Sequence, residues 1–291
     1  MRNIYDCFLF FNELEILELR LNILKDVVDY FILVESSTTF NGKDKKLIYN
    51  ENKERFKEFN DRIIYVVVDD TPNTFTSPKY NLDAVTKLEV INNTIINNTY
   101  TSEGWSKTNP NEAQWGRETY QRECMMRGLA NFNDDDIVII SDVDEIPNPN
   151  ILKEIDSHLS NTKFLSLTQN MYYYYFNLLK QTDWSGTKIC KWGDLKLNSV
   201  NQVRQNKFEH TTIPNGGWHF SFFGGENIIK DKIQAYSHQE FNNPHYLNSI
   251  NSNMKTNMDP FFRGQLTNVE IDETYPKYIL DNIEKYKHMI K

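Results

Sequence analysis

Cysteine is scarce: Cys7, Cys124 and Cys190 are the only three in 291 residues. An odd, widely spaced set argues against a disulfide framework and against a zinc cluster, and it makes a reducing compartment the default. No apolar run approaches the ~20 residues that a bilayer demands, and no basic segment with an apolar core precedes the first strand-like stretch. A soluble, cytoplasmic protein without a membrane span is therefore expected. Basic blocks are missing too. Lys and Arg number 32 against 40 Asp and Glu, a net charge of -8, so no nucleic-acid groove is expected and an anionic ligand must have its charge met locally, by a metal. No internal repeat is present. A chain of this length can bury a sizeable core, as one large α/β domain or as a domain with an appended subdomain. The Asn- and Lys-rich composition points to an AT-rich genome, bacterial or viral.

The opening reads as alternating strands and helices. A strand is expected over 4–11, and Asn12 with Glu15 offers a cap for a helix on which Leu17, Leu21, Leu24 and Val28 recur at helical spacing. A second strand over 29–35, a helix over 51–59 and a third strand over 63–68 follow. This β-α-β-α-β order predicts a parallel sheet with right-handed crossovers, an architecture of the nucleotide-binding kind. From 71 to 111 the composition shifts to Thr, Asn, Ser and Pro, an insertion of the length that functional loops have. A helix over 112–131 leads to the strand of an acidic motif, then a helix over 148–159 and a strand from 163. Met171-Tyr-Tyr-Tyr-Tyr-Phe176 puts rings on both faces of that strand, one for the core and one open to a role as a sugar platform. A plain aromatic core strand explains the run equally well. A closing helix over 275–290 carries Pro276 in its first turn.

Asp136-Ile-Val-Ile-Ile-Ser-Asp-Val-Asp-Glu-Ile-Pro147 is the most informative segment. Its apolar run empties into Asp142, Asp144 and Glu145 and is stopped by Pro147. A strand buried on both faces of an α/β sheet shows charge only where it emerges, at the carboxyl edge where such sheets bind ligands. Hard oxygen ligands one residue apart suit Mg²⁺ or Mn²⁺, and such an ion grips phosphate. A solvated strand-to-helix turn, with Asp142 or Asp144 as a cap near Pro147 and Pro149, explains the acids without a metal. A calcium loop starting at Asp142 fails, because Pro147 stands where Gly is needed and Lys153 where Glu is needed. A haloacid-dehalogenase-type phosphatase also sets Asp-x-Asp after an apolar strand and would make Asp142 a nucleophile; that fold needs its aspartate strand early, and here three expected strands come first. A non-catalytic carbohydrate-binding protein fits the 13% aromatic content but gives the acids no purpose.

Separated segments then point one way. Tyr5-Asp-Cys-Phe, Glu13-Leu-Glu-Ile-Leu-Glu-Leu-Arg-Leu21, Val28-Asp-Tyr-Phe-Ile-Leu-Val-Glu35, Thr39-Phe-Asn-Gly42 with Lys46, the helix bearing Trp115, Glu118 and Arg122, Ser141-Asp-Val-Asp-Glu-Ile-Pro147 and Gly217-Trp-His-Phe-Ser221 stand in this order. Together they resemble glycosyltransferase family 17, the family of the β-1,4-mannosyl-glycoprotein β-1,4-N-acetylglucosaminyltransferase. The resemblance runs over most of the chain and weakens in 71–111 and between about 177 and 213. It implies an α/β fold of GT-A type, with a mostly parallel central sheet flanked by helices. One catalytic domain is implied, its nucleotide-sugar-binding half over 1–147 and its acceptor half, with the closing helix, over 148–291. It further implies a UDP-sugar donor, UDP-N-acetylglucosamine first among candidates, a sugar hydroxyl of a glycan as acceptor, and inversion to a β-linkage. The sequence starts without the N-terminal membrane anchor of the animal members, which leaves an N-glycan acceptor open.

For that chemistry Mn²⁺ or Mg²⁺ is expected on Asp144. Asp142 would bind it directly, bind it through water or hold the donor ribose, and Glu145 would orient both. An inverting displacement also needs a base to take the acceptor's hydroxyl proton. Glu226, after Gly224-Gly225 at an expected helix start, and Glu240, in Ser237-His-Gln-Glu240 at that helix's end, are the candidates; a helix-dipole role explains Glu226 as well. Resemblance to GT-A enzymes makes His238 the candidate imidazole ligand of the metal, with His219 second. Trp218, inside the glycine-rich stretch 215–225, is a candidate for stacking on a sugar under a closing loop, although the alternating aromatics also suit a plain strand. On the donor side Glu35 is expected to reach the nucleoside, and Lys46 or Arg122 a phosphate. Glu118 and Arg122, four residues apart, can equally pair with each other.

Overall fold

The computed structural model describes residues 2–71, 113–129, 132–205 and 210–291. Apart from Thr71, the insertion expected over 71–111 lies outside the described residues. Strand β1 (Ile4–Phe10) feeds helix α1 (Leu14–Leu24), then β2 (Tyr30–Ser36), α2 (Ile48–Asn52) with a 3-10 turn over Lys53–Phe59, and β3 (Ile63–Val68). These match the expected elements closely. The expected cap does not form: Glu13 occupies the position before α1 and turns its carboxylate back onto the Phe11 and Asn12 N–H groups at 3.3 and 3.0 Å.

After α3 (Ala113–Glu123) come β4 (Ile137–Asp142), β5 (Glu145–Pro147), α4 (Pro149–Lys153) and α5 (Ile155–His158). Asn148 caps α4 by accepting from the Asn150 N–H at 3.0 Å, and Glu154 breaks the helix expected over 148–159 with φ -106 and ψ 15. The chain continues through β6 (Phe164–Tyr173), β7 (Leu178–Lys191), α6 (Trp192–Leu195), α7 (Val200–Arg204), β8 (Thr211–Ile213) and β9 (Gly217–Ser221). It ends with α8 (Glu226–Ala235), α9 (Pro244–Thr256), β10 (Thr267–Asn268) and α10 (Lys277–Asp281). The closing helix expected over 275–290 is divided between α10 and a 3-10 turn at Lys287–Met289.

Among the described residues one sheet joins ten strands in the order β3-β2-β1-β4-β7-β6-β9-β5, with β10 on β7 and β8 on β6. The sheet is mixed rather than mostly parallel. β1, β2, β3 and β4 run parallel, but β7 is antiparallel to β4 and β6, and β5 to β9. The four residues between β6 and β7 explain the change, since so short a link joins only antiparallel neighbours. Alternation along β1 and β4 supplies two cores: Ile4, Phe8, Phe10, Ile137 and Ile139 pack under α1, while Tyr5, Cys7, Val138 and Ile140 pack on the other face with Met125 and Met126. Strand order steps outward from β1 to β3 and then returns to β4 on the other side of β1. Such a reversal opens a crevice at the carboxyl ends of the strands.

Gly217 fixes how closely β9 approaches β5. It sits at φ +140, and a Cβ there would stand 2.1 Å from the Ile146 carbonyl oxygen. Gly217→Ala is expected to cost about 1–3 kcal/mol through backbone strain alone, read as a lower midpoint in urea; an unchanged midpoint would show that the two strands can separate freely.

Candidate active site

The crevice between β1 and β4 is a cleft of about 620 Å³, within the usual size of a small-molecule site. Glu13 from the end of β1, Ser36 and Thr38 from the end of β2, and Asp142 and Asp144 from the end of β4 line it. His219 and Ser221 of β9, Lys232 of α8, residues 235–238 and Phe241 line it from the other side.

The acidic turn is held from behind by a fully buried arginine. Arg20 Nε and Nη2 grip both oxygens of Asp6 at 2.7 and 2.6 Å, Nη2 also reaches Ser141 Oγ at 2.6 Å, and Nη1 donates to the carbonyls of Asp142, Val143 and Glu145 at 3.0, 3.2 and 2.8 Å. The carbonyls of a turn at a sheet edge have no ladder partner, so a planar multi-donor group satisfies several at once. Sequence reading missed this residue. Its one signal was a charge three and four places from Leu17 and Ile16, on the stripe of α1 that faces the core.

Glu145 folds back over the same turn. Its carboxylate accepts from the Asp142 N–H at 3.1 Å, from Trp184 Nε1 at 2.8 Å and from Arg204 Nη2 at 2.7 Å. Asp142 is bracketed by Arg122 at 3.4 Å and Arg204 at 3.3 Å, and Arg122 also pairs with Glu118 at 2.8 Å. Lys232 bridges Asp144 at 2.8 Å and Glu13 at 2.9 Å, while His219 Nε2 lies 3.4 Å from the other Asp144 oxygen. Burial by itself would raise both aspartate pKa values. Arg122 and then Arg204 outweigh it at Asp142, and Lys232 and then His219 at Asp144, holding both carboxyls below the usual carboxylate range. Asp144 and Glu13 push the Lys232 ammonium above its ordinary value against the effect of burial.

The expected site residues divide into two groups. Asp142, Asp144, His219 and Arg122 meet in the cleft, and His238 lines it. Glu35 does not reach it: fully buried, it accepts from Lys45 Nζ at 2.9 Å, the Tyr49 N–H and the Tyr65 hydroxyl. Lys45 lines the cleft, whereas Lys46 is exposed and lies 3.7 Å from Glu51. Trp218 faces the core with Phe220 and donates from Nε1 to the Thr274 carbonyl at 3.1 Å. Its neighbours His219 and Ser221 take the cleft side, as period-two alternation requires. Glu226 opens α8, pairs with Lys230 at 2.6 Å and is not among the residues lining the cleft. Glu240 stands behind His238, its carboxylate 2.8 Å from Nδ1. Of the tyrosine run, Tyr173 lines the cleft and Tyr172 packs in the core.

The donor set suits a divalent cation. Among the described residues no three His, Cys, Asp or Glu side chains already converge on one point; an ion of the Mg²⁺ kind is commonly held by one or two carboxylates, with water and substrate phosphates completing its shell. Asp144 Oδ1 and His219 Nε2 are near each other, and the Asp142 side chain is 35% exposed. Charge points the same way. Within the linked ion-pair network, the five carboxylates Glu13, Glu118, Asp142, Asp144 and Glu145 outnumber the three cations Arg122, Arg204 and Lys232 by two.

Among the described residues no helix is long and apolar enough to cross a membrane. No curated protein matches the chain. Among solved structures, one of 4-diphosphocytidyl-2C-methyl-D-erythritol synthase is similar at 12% identity and a TM-score of 0.36, over 74% of this chain and 89% of that one. The family model described as glycosyltransferase family 17 matches residues 1–98 and 71–257. That match takes in the ends of β1 and β4, the acidic turn, β9, Lys232 and His238, and with most of its length covered the chain belongs to glycosyltransferase family 17 and is a glycosyltransferase.

Proposed function

We propose that the enzyme transfers N-acetylglucosamine, or a related sugar, from a UDP-sugar to a sugar hydroxyl of a glycan, with inversion to a β-linkage, on a GT-A type fold and with Mn²⁺ or Mg²⁺ as cofactor. The observation that carries this reading is the placement of Asp142 and Asp144 at the strand-order reversal, inside a cleft where three protein cations stand beside them. Asp144, with Asp142 and His219, would hold the cation. When bound, it offsets the charge that grows on the departing diphosphate.

The protein's own groups do the rest. Arg122 and Arg204 line the cleft and are fixed by Glu118, Asp142 and Glu145, so their positive charge faces a phosphate at little further entropic cost. Trp115, Tyr173, Trp184 and Phe241 give the cleft flat apolar walls against which sugar C–H faces can pack. These walls also shield the reacting bond from water.

Purified enzyme is expected to release UDP from UDP-N-acetylglucosamine when Mn²⁺ is present, to stop when EDTA is added and to resume on Mn²⁺ replenishment. Activity that persists in EDTA would remove the metal from the proposal. UDP release from no member of a UDP-sugar panel would remove the donor.

A further inference from the structure

One imidazole in the cleft stands apart from the ion-pair network. His238 lines the cleft, and its Nδ1 is engaged by Glu240 Oε1 at 2.8 Å. Glu240 does not line the cleft, so the carboxylate lies behind the ring. Trp115 meets the ring edge-on at 4.7 Å between centroids, with Tyr236 at 5.6 Å and Phe241 at 6.1 Å on its flanks. The ring, 51% exposed and flanked by these aromatics, is therefore oriented by a carboxylate, and Nε2 is the nitrogen left for a ligand.

The carboxylates are poorly suited to take a proton. Among the described residues lining the cleft, Glu13 and Asp144 share Lys232, Glu118 holds Arg122, and Asp142 lies between Arg122 and Arg204. A carboxylate so paired is a weakened base. His219 is turned to Asp144. Glu226 is held by Lys230 away from the cleft.

We infer that His238 Nε2 is the general base of sugar transfer and that Glu240 is its positioning residue, fixing the tautomer with its hydrogen on Nδ1. This rests on the transfer reaction proposed above. The acceptor hydroxyl oxygen bonds to the anomeric carbon with a lone pair. The bond from that carbon to the diphosphate oxygen breaks, and its electron pair leaves with the nucleoside diphosphate. The hydroxyl proton passes to Nε2, Glu240 steadies the resulting imidazolium, and water later removes the proton. Imidazole is the side chain whose ordinary proton affinity suits such an exchange near neutral pH.

The test uses the full chain, Mn²⁺ and UDP-N-acetylglucosamine, with water as acceptor and released UDP as the readout. His238→Gln is expected to lower turnover about 10²–10⁴-fold, the range for loss of a general base, with UDP affinity unchanged by calorimetry. In His238→Ala, added imidazole is expected to restore part of the turnover, which a structural role would not allow. Glu240→Gln is expected to lower kcat by a smaller factor while KM holds, and Glu240→Asp to recover part of it. Full turnover in His238→Gln would overturn the inference, as would a parallel loss of UDP affinity or a failure of imidazole to rescue. Wild-type enzyme that binds UDP but consumes no UDP-sugar with water or with any of a panel of glycan acceptors would instead overturn the transfer reaction itself.

Discussion

Asp144→Ala is expected to reduce sugar transfer at least about a hundredfold, the scale on which removal of one preorganised electrostatic group acts, while the protein stays folded. Asp144 is the point where three separate parts of the chain meet: the end of β4, His219 of β9 and Lys232 of α8. Without the carboxylate, Lys232 keeps Glu13 as a partner, so no buried charge is stranded. The damage should therefore fall on turnover and on Mn²⁺ dependence more than on stability. Asp144→Asn keeps the shape without the charge and is expected to be as slow; full turnover in that variant would show that the charge at this position is not used.

The same residue has an acid-side signature. Asp142 and Asp144 are both held below their ordinary range in the folded protein, so the unfolded chain takes up their protons first. The stability their pairs contribute is complete above the unfolded value of about 3.9 and is lost as pH falls from there toward the folded values. Urea midpoints followed downward from pH 5 should drop less steeply in Asp144→Ala than in wild type. Parallel curves would contradict the assignment.

Arg20→Met is expected to cost about 3–5 kcal/mol, the range for breaking a buried ion pair from one side, because the Asp6 side chain, 0% exposed, would lose its partner. Against a typical total of about 5–15 kcal/mol that is a large fraction, visible as an early urea transition. Pairing it with Asp6→Leu should recover much of the stability, since apolar replacement of both partners is often close to neutral. Activity should not return with it. The carbonyls of Asp142 and Val143 would still lack the Arg20 donor and that of Glu145 would keep only Thr187 Oγ1, leaving the acidic turn free to drift. A double variant that is both stable and fully active would show that Arg20 serves the fold alone.

What could be read in advance, and what could not, follows from sequence distance. Strands β1 to β4 announce themselves in local apolar runs, and the acidic motif is contiguous, so both were visible. Arg122 was visible as well, but the other cations that answer the motif were not: Arg20 lies 122 positions from Asp142, Arg204 59 from Glu145 and Lys232 88 from Asp144. Apart from the place of Arg20 on the core-facing stripe of α1, nothing local distinguishes them from surface lysines and arginines. Neighbouring residues were confused for a different reason. Lys45 and Lys46, like Trp218 and His219, point to opposite sides of an extended segment, and only the sheet decides which side is the cleft. The antiparallel half escaped because a short link from β6 to β7 is hidden inside what reads as one continuous tyrosine run.

The pairing of β5 with β9 has a consequence for any attempt to divide the molecule. Glu145 sits opposite His219 in that ladder, so severing the chain after Pro147 would leave one fragment with the aspartates and no imidazole or bridging lysine, and the other with His219 and Lys232 and nothing to bind. Neither piece alone would hold a complete site. Complementation between the two fragments, produced together, is the form in which a split version of this enzyme could work.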